Sequence, residues 1–254
     1  MTNPVVIASD NLSVAWARAF TRVLERGPTP SLLVQIDTSE SGIAEDSQIR
    51  AHLVQALSCR GLSSINTVAN TIFPNSLWNP DQPRQALFDR YRAIWPRVKK
   101  CRANRNGVYF QRLIGFPEFG SGEANQLDYI ICTYTGGNHR HSAHQASVYA
   151  PTIDATNQRQ RGFPCLQQVA FSIDNSELMV IGFYPTQHIF EKAYGNYLGL
   201  CRLGVFMAHE LNLRFAGMQC FASHPKVGAD GKTALQPLGH DVQTRLVAYE
   251  AGDA

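Results

Sequence analysis

No stretch of this sequence approaches the roughly 18–20 consecutive apolar residues that cross a bilayer, so no membrane-spanning helix is expected. It also has little excess charge. Against 20 Asp and Glu stand 23 Lys and Arg, a formal +3, which is too small to point to a nucleic-acid or membrane surface. The six cysteines, Cys59, Cys101, Cys132, Cys165, Cys201 and Cys220, include no CxxC pair and no tight spacing. That excludes a disulfide framework or a zinc-finger pattern and leads us to expect mostly buried thiols of a cytoplasmic protein. Met1-Thr-Asn-Pro-Val-Val-Ile-Ala has no basic stretch before a long apolar core, so a secretory leader is not expected. Repeats and low-complexity linkers are missing too. The chain of 254 residues, 44% hydrophobic and 17% charged, is therefore read as one domain with a buried core.

What is present is a mixture of strand and helix signals. Asn11 or Ser13 caps a helix running to residue 25, because Val14, Ala17, Phe20, Val23 and Leu24 recur at helical spacing and Gly27-Pro28 stops it. Residues 31–36 read as a short strand, 38–42 as a polar turn, and 47–59 as a helix ending at Gly61. Leu87, Tyr91 and Ile94 predict a helix over 81–95 ended by Pro96, and the basic run 97–105 reads as solvated surface. A strand is expected at 107–115, while 125–133 fits helix and strand equally; 147–149 begins an extended piece and 154–161 reads as an exposed loop. The runs 167–173 and 178–183, joined by Asp174-Asn-Ser-Glu177, predict a β-hairpin. Tyr194, Tyr197, Leu198, Cys201, Val205, Ala208 and Leu211 predict a long buried helix over 191–213, followed by a strand at 218–222 and a last helix near 241–250. Hairpins in place of regular strand-helix alternation imply an α+β class, one mixed or antiparallel sheet with helices on one face.

The residues that carry chemistry lie late in the chain. Phe163-Pro164-Cys165 precedes an apolar strand, Tyr184-Pro185-Thr186-Gln187-His188 follows it, Asn196 lies at the start of the long helix, and Ser223-His224 comes last. Upstream stand Gly107-Val-Tyr109-Phe-Gln-Arg112, Asn125-Gln126-Leu127 and Asn138-His139-Arg140-His141. In this order the motifs resemble thymidylate synthase and its pyrimidine hydroxymethylase relatives, most clearly over 107–226, with a looser match at Ile65-Asn-Thr-Val-Ala-Asn-Thr-Ile72. The resemblance implies that family's fold as a single domain over 1–254: a mixed or antiparallel sheet packed with helices around a long central helix.

It also implies a chemistry. Cys165 would be the catalytic nucleophile, adding to C6 of a uracil ring so that C5 can attack a one-carbon unit. Asn196 would read the uracil edge, since one amide can donate to a carbonyl and accept from a ring N–H. His224 would contact the sugar, and Tyr109, Arg140, Thr186 and His188 would complete the substrate site, Arg140 reaching across a homodimer interface. The implied donor is 5,10-methylenetetrahydrofolate, with no metal. The implied partners are a pyrimidine nucleotide, nucleoside or related metabolite and a second copy of the chain, with no nucleic acid and no membrane.

Several positions depart from the family pattern. Its Arg-Ser-x-Asp motif is Pro185-Thr186-Gln187-His188 here, and proline cannot make the bidentate contact of a guanidinium with phosphate. The Arg-Thr-Gly-Thr-Gly loop has no counterpart, Thr71-Ile-Phe-Pro-Asn75 lacks the family's glutamate, and Leu166 replaces the histidine after the cysteine. The chain ends soon after His224, so the tail that closes over folate is expected to be lacking. Methylation or hydroxymethylation of a uracil-like ring is therefore expected rather than the ordinary dUMP reaction. The alternative is a catalytically inactive homologue serving as a binding or structural protein. Taken by residue type alone, Cys165 is equally a core thiol at a strand start, Asn196 a helix cap and His224 structural. His139, His141 and His144 have no acidic or Cys ligand nearby to complete a metal set and read as an anion-facing basic patch.

Overall fold

The computed structural model describes residues 3–27, 31–39, 42–117, 124–157 and 163–252. Helix α1 (Leu12–Arg26) starts where the Asn11 side chain accepts the backbone N–H groups of Ser13 and Val14, and it stops at Gly27, whose φ of 79° suits glycine. Its apolar face buries Trp16, Phe20, Val23 and Leu24. Before it runs β1 (Val5–Ser9), a strand the residue pattern did not predict, paired parallel to β2 (Leu32–Asp37). Asp46 caps α2 (Ser47–Cys59) and Ser64 caps α3 (Ile65–Ile72) through side-chain oxygens that accept first-turn N–H groups.

The second part of the chain comprises α4 (Arg84–Val98), α5 (Tyr109–Ile114), α6 (Gln126–Thr135), β3 (Gln145–Ser147) and α7 (Pro151–Asp154). There follow β4 (Gln168–Asp174), β5 (Glu177–His188), α8 (Tyr194–Leu211), β6 (Arg214–Lys226) and α9 (Gly231–Ala251). The expected hairpin is present between β4 and β5, and its two loop residues, Asn175 and Ser176, have φ of 47° and 65°, as a tight two-residue turn requires.

The strands form one mixed sheet in the order β1-β2-β6-β5-β4-β3, with parallel pairs β1/β2 and β5/β6 and antiparallel pairs elsewhere. Register assigns its faces. Leu32 pairs with Ala222 and Ala222 with Tyr184, while Val34 pairs with Cys220 and Cys220 with Gly182, so alternate residues of three strands point to one side. Those side chains are buried, and α8 packs against them. The opposite side carries Leu33, Phe183 and Phe221 only half-buried, with Phe183 and Phe221 stacked at 5.9 Å between ring centroids. Helix α8 buries Tyr194, Asn196, Tyr197, Leu200, Cys201, Phe206 and Met207 and is the central helix of the core.

Several local expectations need correcting. Residues 109–114 are helical, not a strand: Phe110, Leu113 and Ile114 are all buried, and packing of α5 against α3 and α6 overrides β-prone composition. Pro96 does not end α4, which continues to Val98, because a proline so near the end disturbs only the last turn. Likewise α9 starts ten residues before the expected 241 and contains Pro237. The thiols are not mostly buried: Cys59, Cys101 and Cys132 are exposed and all six are free, each exposed one lying on or beyond the outer face of a helix. Asp154 is not part of an exposed loop but is buried against Arg112. Residues 158–161 of that loop, and 40–41 of the expected turn, lie outside the described residues. No helix among the described residues is long and apolar enough to cross a membrane.

Candidate active site

A cavity of about 380 Å³ opens where β5 runs out into α8. Its first wall is continuous in sequence. The end of β5 supplies Tyr184, Thr186, Gln187 and His188; a π-helical turn (Ile189–Ala193) supplies Glu191 and Lys192; the first turn of α8 supplies Asn196. That turn is pinned from three sides. The Trp16 indole N–H donates to the Ile189 carbonyl at 2.9 Å, the Phe190 N–H to the Val227 carbonyl at 2.9 Å, and the Ala229 N–H to Glu191 Oε1 at 2.7 Å.

The second wall is α3, which contributes Thr67, Val68 and Thr71. It lies unusually close to α8 because residues 195 and 199 are glycine. A Cβ on Gly195 would sit 2.5 Å from Val68 Cβ and 2.8 Å from the Ile65 carbonyl oxygen, and one on Gly199 would sit 2.8 Å from the Ala69 carbonyl oxygen. Asn196 thus faces the threonines of α3 across the cavity.

The third wall joins Val108 and Tyr109, at the start of α5, to Phe163 and Cys165. Tyr109 stacks on Phe163 with centroids 5.3 Å apart, and the Arg112 guanidinium lies 5.4 Å from the other partner of that ring packing, the Phe163 centroid. Arg112 is itself held by Asp154 through two bonds of 3.2 and 3.0 Å, both side chains more than 90% buried. Gly107 leaves room for Phe163: its φ is 133° and a Cβ there would lie 2.5 Å from the Phe163 ring.

The electrostatics are mixed. Burial pushes the Cys165 thiol above its ordinary range, while the neighbouring Tyr109 hydroxyl and the Lys192 ammonium pull it partly back. Burial likewise raises the Tyr109 phenol, outweighing the backbone N–H groups of Leu166 and Cys165, which pull it partly back, so it stays neutral. The Glu191 carboxyl is held below the carboxylate range, chiefly by His188, whose Nδ1 lies 3.4 Å from Oε2. Among the described lining residues there is one carboxylate, one ammonium and no guanidinium.

Of the seven residues singled out in the sequence, Cys165, Tyr109, Thr186, His188 and Asn196 line this one cavity. Asn196 is 4% exposed and is not a cap: α8 continues from the π-turn, and no described residue takes its side-chain amide in a hydrogen bond. His224 is exposed and does not line the cavity, although it pairs with Thr186 across β5 and β6 and shares its face. Arg140 is exposed and away from it. The three histidines do not make a metal site. His139 stacks on Tyr134 at 4.4 Å, His144 is buried, and among the described residues no group of three or more His, Cys, Asp or Glu could hold a metal.

Sequence reasoning assigned no role to Tyr184, Glu191, Lys192 or the threonines of α3. The Gly-x-x-x-Gly spacing of Gly195 and Gly199 was the available signal for the last, since two glycines on one helix face invite a close neighbour. No protein-family model matches the chain, and no curated protein matches it.

Proposed function

We propose that this chain is a divergent thymidylate synthase-like enzyme that uses Cys165 as the nucleophile for one-carbon transfer to C5 of a uracil-like pyrimidine, by methylation or hydroxymethylation, outside the ordinary dUMP reaction. The observation that carries this reading is the convergence of Tyr109, Cys165, Thr186, His188 and Asn196, distant in sequence, on one cavity. The mixed sheet around a buried central helix is consistent with the family's fold, and the half-buried Phe183 and Phe221 face suits a homodimer.

In the addition step the Cys165 thiolate forms an S–C bond to C6, and the C5–C6 π pair moves towards the C4 carbonyl oxygen as an enolate. Asn196, with its amide unclaimed, donates to that carbonyl and accepts from the adjacent ring N–H. C5 then takes a proton from solvent, loses one, and expulsion of the thiolate restores the ring. A lining with one carboxylate, one ammonium and no guanidinium favours an uncharged base or nucleoside over a monophosphate. A cavity of about 380 Å³ is at the small end of ligand sites, roughly 300–1,000 Å³, a size that suits a pyrimidine base or nucleoside. The residues of this chain are assigned to the addition step.

The second reading is a non-catalytic homologue acting as a binding or structural protein, favoured by the raised Cys165 pKa, which makes thiolate scarce at neutral pH. The test is C5 hydrogen–deuterium exchange, followed by NMR without folate, on uracil, uridine, deoxyuridine and their monophosphates. Exchange that Cys165→Ala abolishes, and that is faster on the uncharged compounds, is the expected result. No exchange anywhere in the panel overturns the enzyme reading.

A further inference from the structure

Two side chains that line the cavity are paired with each other where β5 passes into the π-helical turn. His188 Nδ1 lies 3.4 Å from Glu191 Oε2, and the other carboxylate oxygen accepts the Ala229 N–H at 2.7 Å. Gly228 lets that loop come close: its φ is 156°, and a Cβ there would lie 3.1 Å from Glu191 Oε1. Both oxygens of a mostly buried carboxylate are thus held, and His188 keeps its carboxyl below the ordinary range, so it is ionised near neutral pH. An ionised carboxylate only accepts. The neutral imidazole therefore carries its proton on Nδ1 and leaves the Nε2 lone pair free. Nε2 has no partner among the described residues, and it is open to the cavity. The His188 side chain is 33% exposed, and the orphaned buried side-chain atoms among the described residues belong to Trp78, Tyr91, His144 and Tyr184 instead.

A free acceptor in a ligand cavity calls for a donor on the ligand. The side chains that act on the Cys165 thiol are Tyr109 and Lys192, not His188, so His188 faces a part of the ligand away from the carbon under attack. We propose that the Glu191–His188 pair is a specificity-determining hydroxyl acceptor, in which Nε2 takes a hydrogen bond from a sugar hydroxyl and so selects a pyrimidine nucleoside over the free base. Glu191 is the positioning residue that fixes the tautomer. This inference rests on the reading of the cavity as a pyrimidine site. An ionised phosphate offers only acceptor oxygens and would meet a lone pair backed by a carboxylate, which disfavours a nucleotide at the same place. The sugar contact expected of His224 passes to His188, because His224 lies outside the cavity.

Two ligands separate this role from packing. Deoxyuridine carries the sugar hydroxyls, whereas 1-methyluracil keeps the ring and its N1 substituent but has no hydroxyl. Their affinities are read by isothermal titration calorimetry for wild type and for His188→Phe, which keeps an aromatic ring and loses both nitrogens. The substitution is expected to weaken deoxyuridine by about three- to tenfold, the net worth of one hydrogen bond, and to leave 1-methyluracil unchanged. Long-range proton–nitrogen NMR on the free wild-type protein at about pH 8, above the ordinary imidazole range, is expected to show His188 protonated on Nδ1 alone. Glu191→Ala should lose that preference, a change that a purely structural role for Glu191 would not produce. An equal loss for both ligands, no loss for deoxyuridine, or a protonated Nε2 in wild type would overturn the role of His188 alone. A wild-type protein that binds neither ligand would overturn it together with the pyrimidine reading of the cavity.

Discussion

Gly195→Ala sets two effects of opposite sign against each other. In an exposed helix interior, replacing glycine by alanine stabilises by about 1 kcal/mol, because glycine loses more backbone entropy. Here the new Cβ would meet Val68 Cβ at 2.5 Å and the Ile65 carbonyl oxygen at 2.8 Å. No side-chain rotation relieves a contact with backbone, so α3 has to move, and overpacking of this kind costs about 1–3 kcal/mol, with the upper half expected for a backbone clash. The net expectation is a loss of about 1–2 kcal/mol. Urea unfolding followed by circular dichroism should show a lower midpoint with an unchanged m-value. Gly199→Ala, whose Cβ would lie 2.8 Å from the Ala69 carbonyl oxygen and 2.9 Å from Ile72 Cβ, should behave alike. The double variant should lose less than the sum, because one outward shift of α3 relieves both clashes. The same shift carries Thr67 and Thr71 away from Asn196, so ligand affinity should fall with stability. A Gly195→Ala protein about 1 kcal/mol more stable than wild type would show that helix propensity dominates and that the two helices do not approach as described.

Other expectations follow from the site. The rate of Cys165 alkylation by iodoacetamide should rise with pH through a midpoint above the ordinary thiol value of 9.0, since burial outweighs Tyr109 and Lys192; a midpoint below 9.0 would reverse that ranking. Arg112→Ala leaves the buried Asp154 carboxylate without its guanidinium and should cost about 3–5 kcal/mol in urea unfolding, with Phe163 freed; a loss under about 1 kcal/mol would remove this pair from the support of the site. Glu191 has a folded pKa below its ordinary 4.5, so its stabilising contribution is present above that value and is lost as pH falls through the lower folded value. Glu191→Gln should flatten the fall of the urea midpoint as pH drops below 4.5, relative to wild type; parallel curves would show that its pairing with His188 adds nothing.

Much of the secondary structure was legible because it is written in local signals. Asn11 ahead of Val14, Ala17 and Phe20 marks α1, the Asp174-Asn-Ser-Glu177 punctuation marks the hairpin, and periodic apolar residues mark α8. Where the reading failed, packing decided. The β-prone Tyr109–Ile114 became helix between α3 and α6, and β1 could not be inferred from its own five residues because its partner is β2, beyond α1. The candidate site was half legible. Motif order singled out Cys165 and Asn196, but residue type could not tell a base-reading amide from a helix cap; the π-turn running directly into α8 removes the cap reading.

Chain order by itself determined which residues could carry chemistry: a cysteine before a strand and an asparagine in the helix that follows the next strand. Only the tertiary structure decided which of them meet. Hydrogen-bonded register across β2, β6 and β5 turns Tyr184 inward, two glycines let α3 close on α8, and a buried Arg112–Asp154 pair props Phe163 beside Cys165. His224 and Arg140, named by the same sequence order, remain outside the cavity. Local sequence governs torsions and caps within a few residues, whereas a site is set by long-range packing and solvent exclusion, and those also move its pKa values.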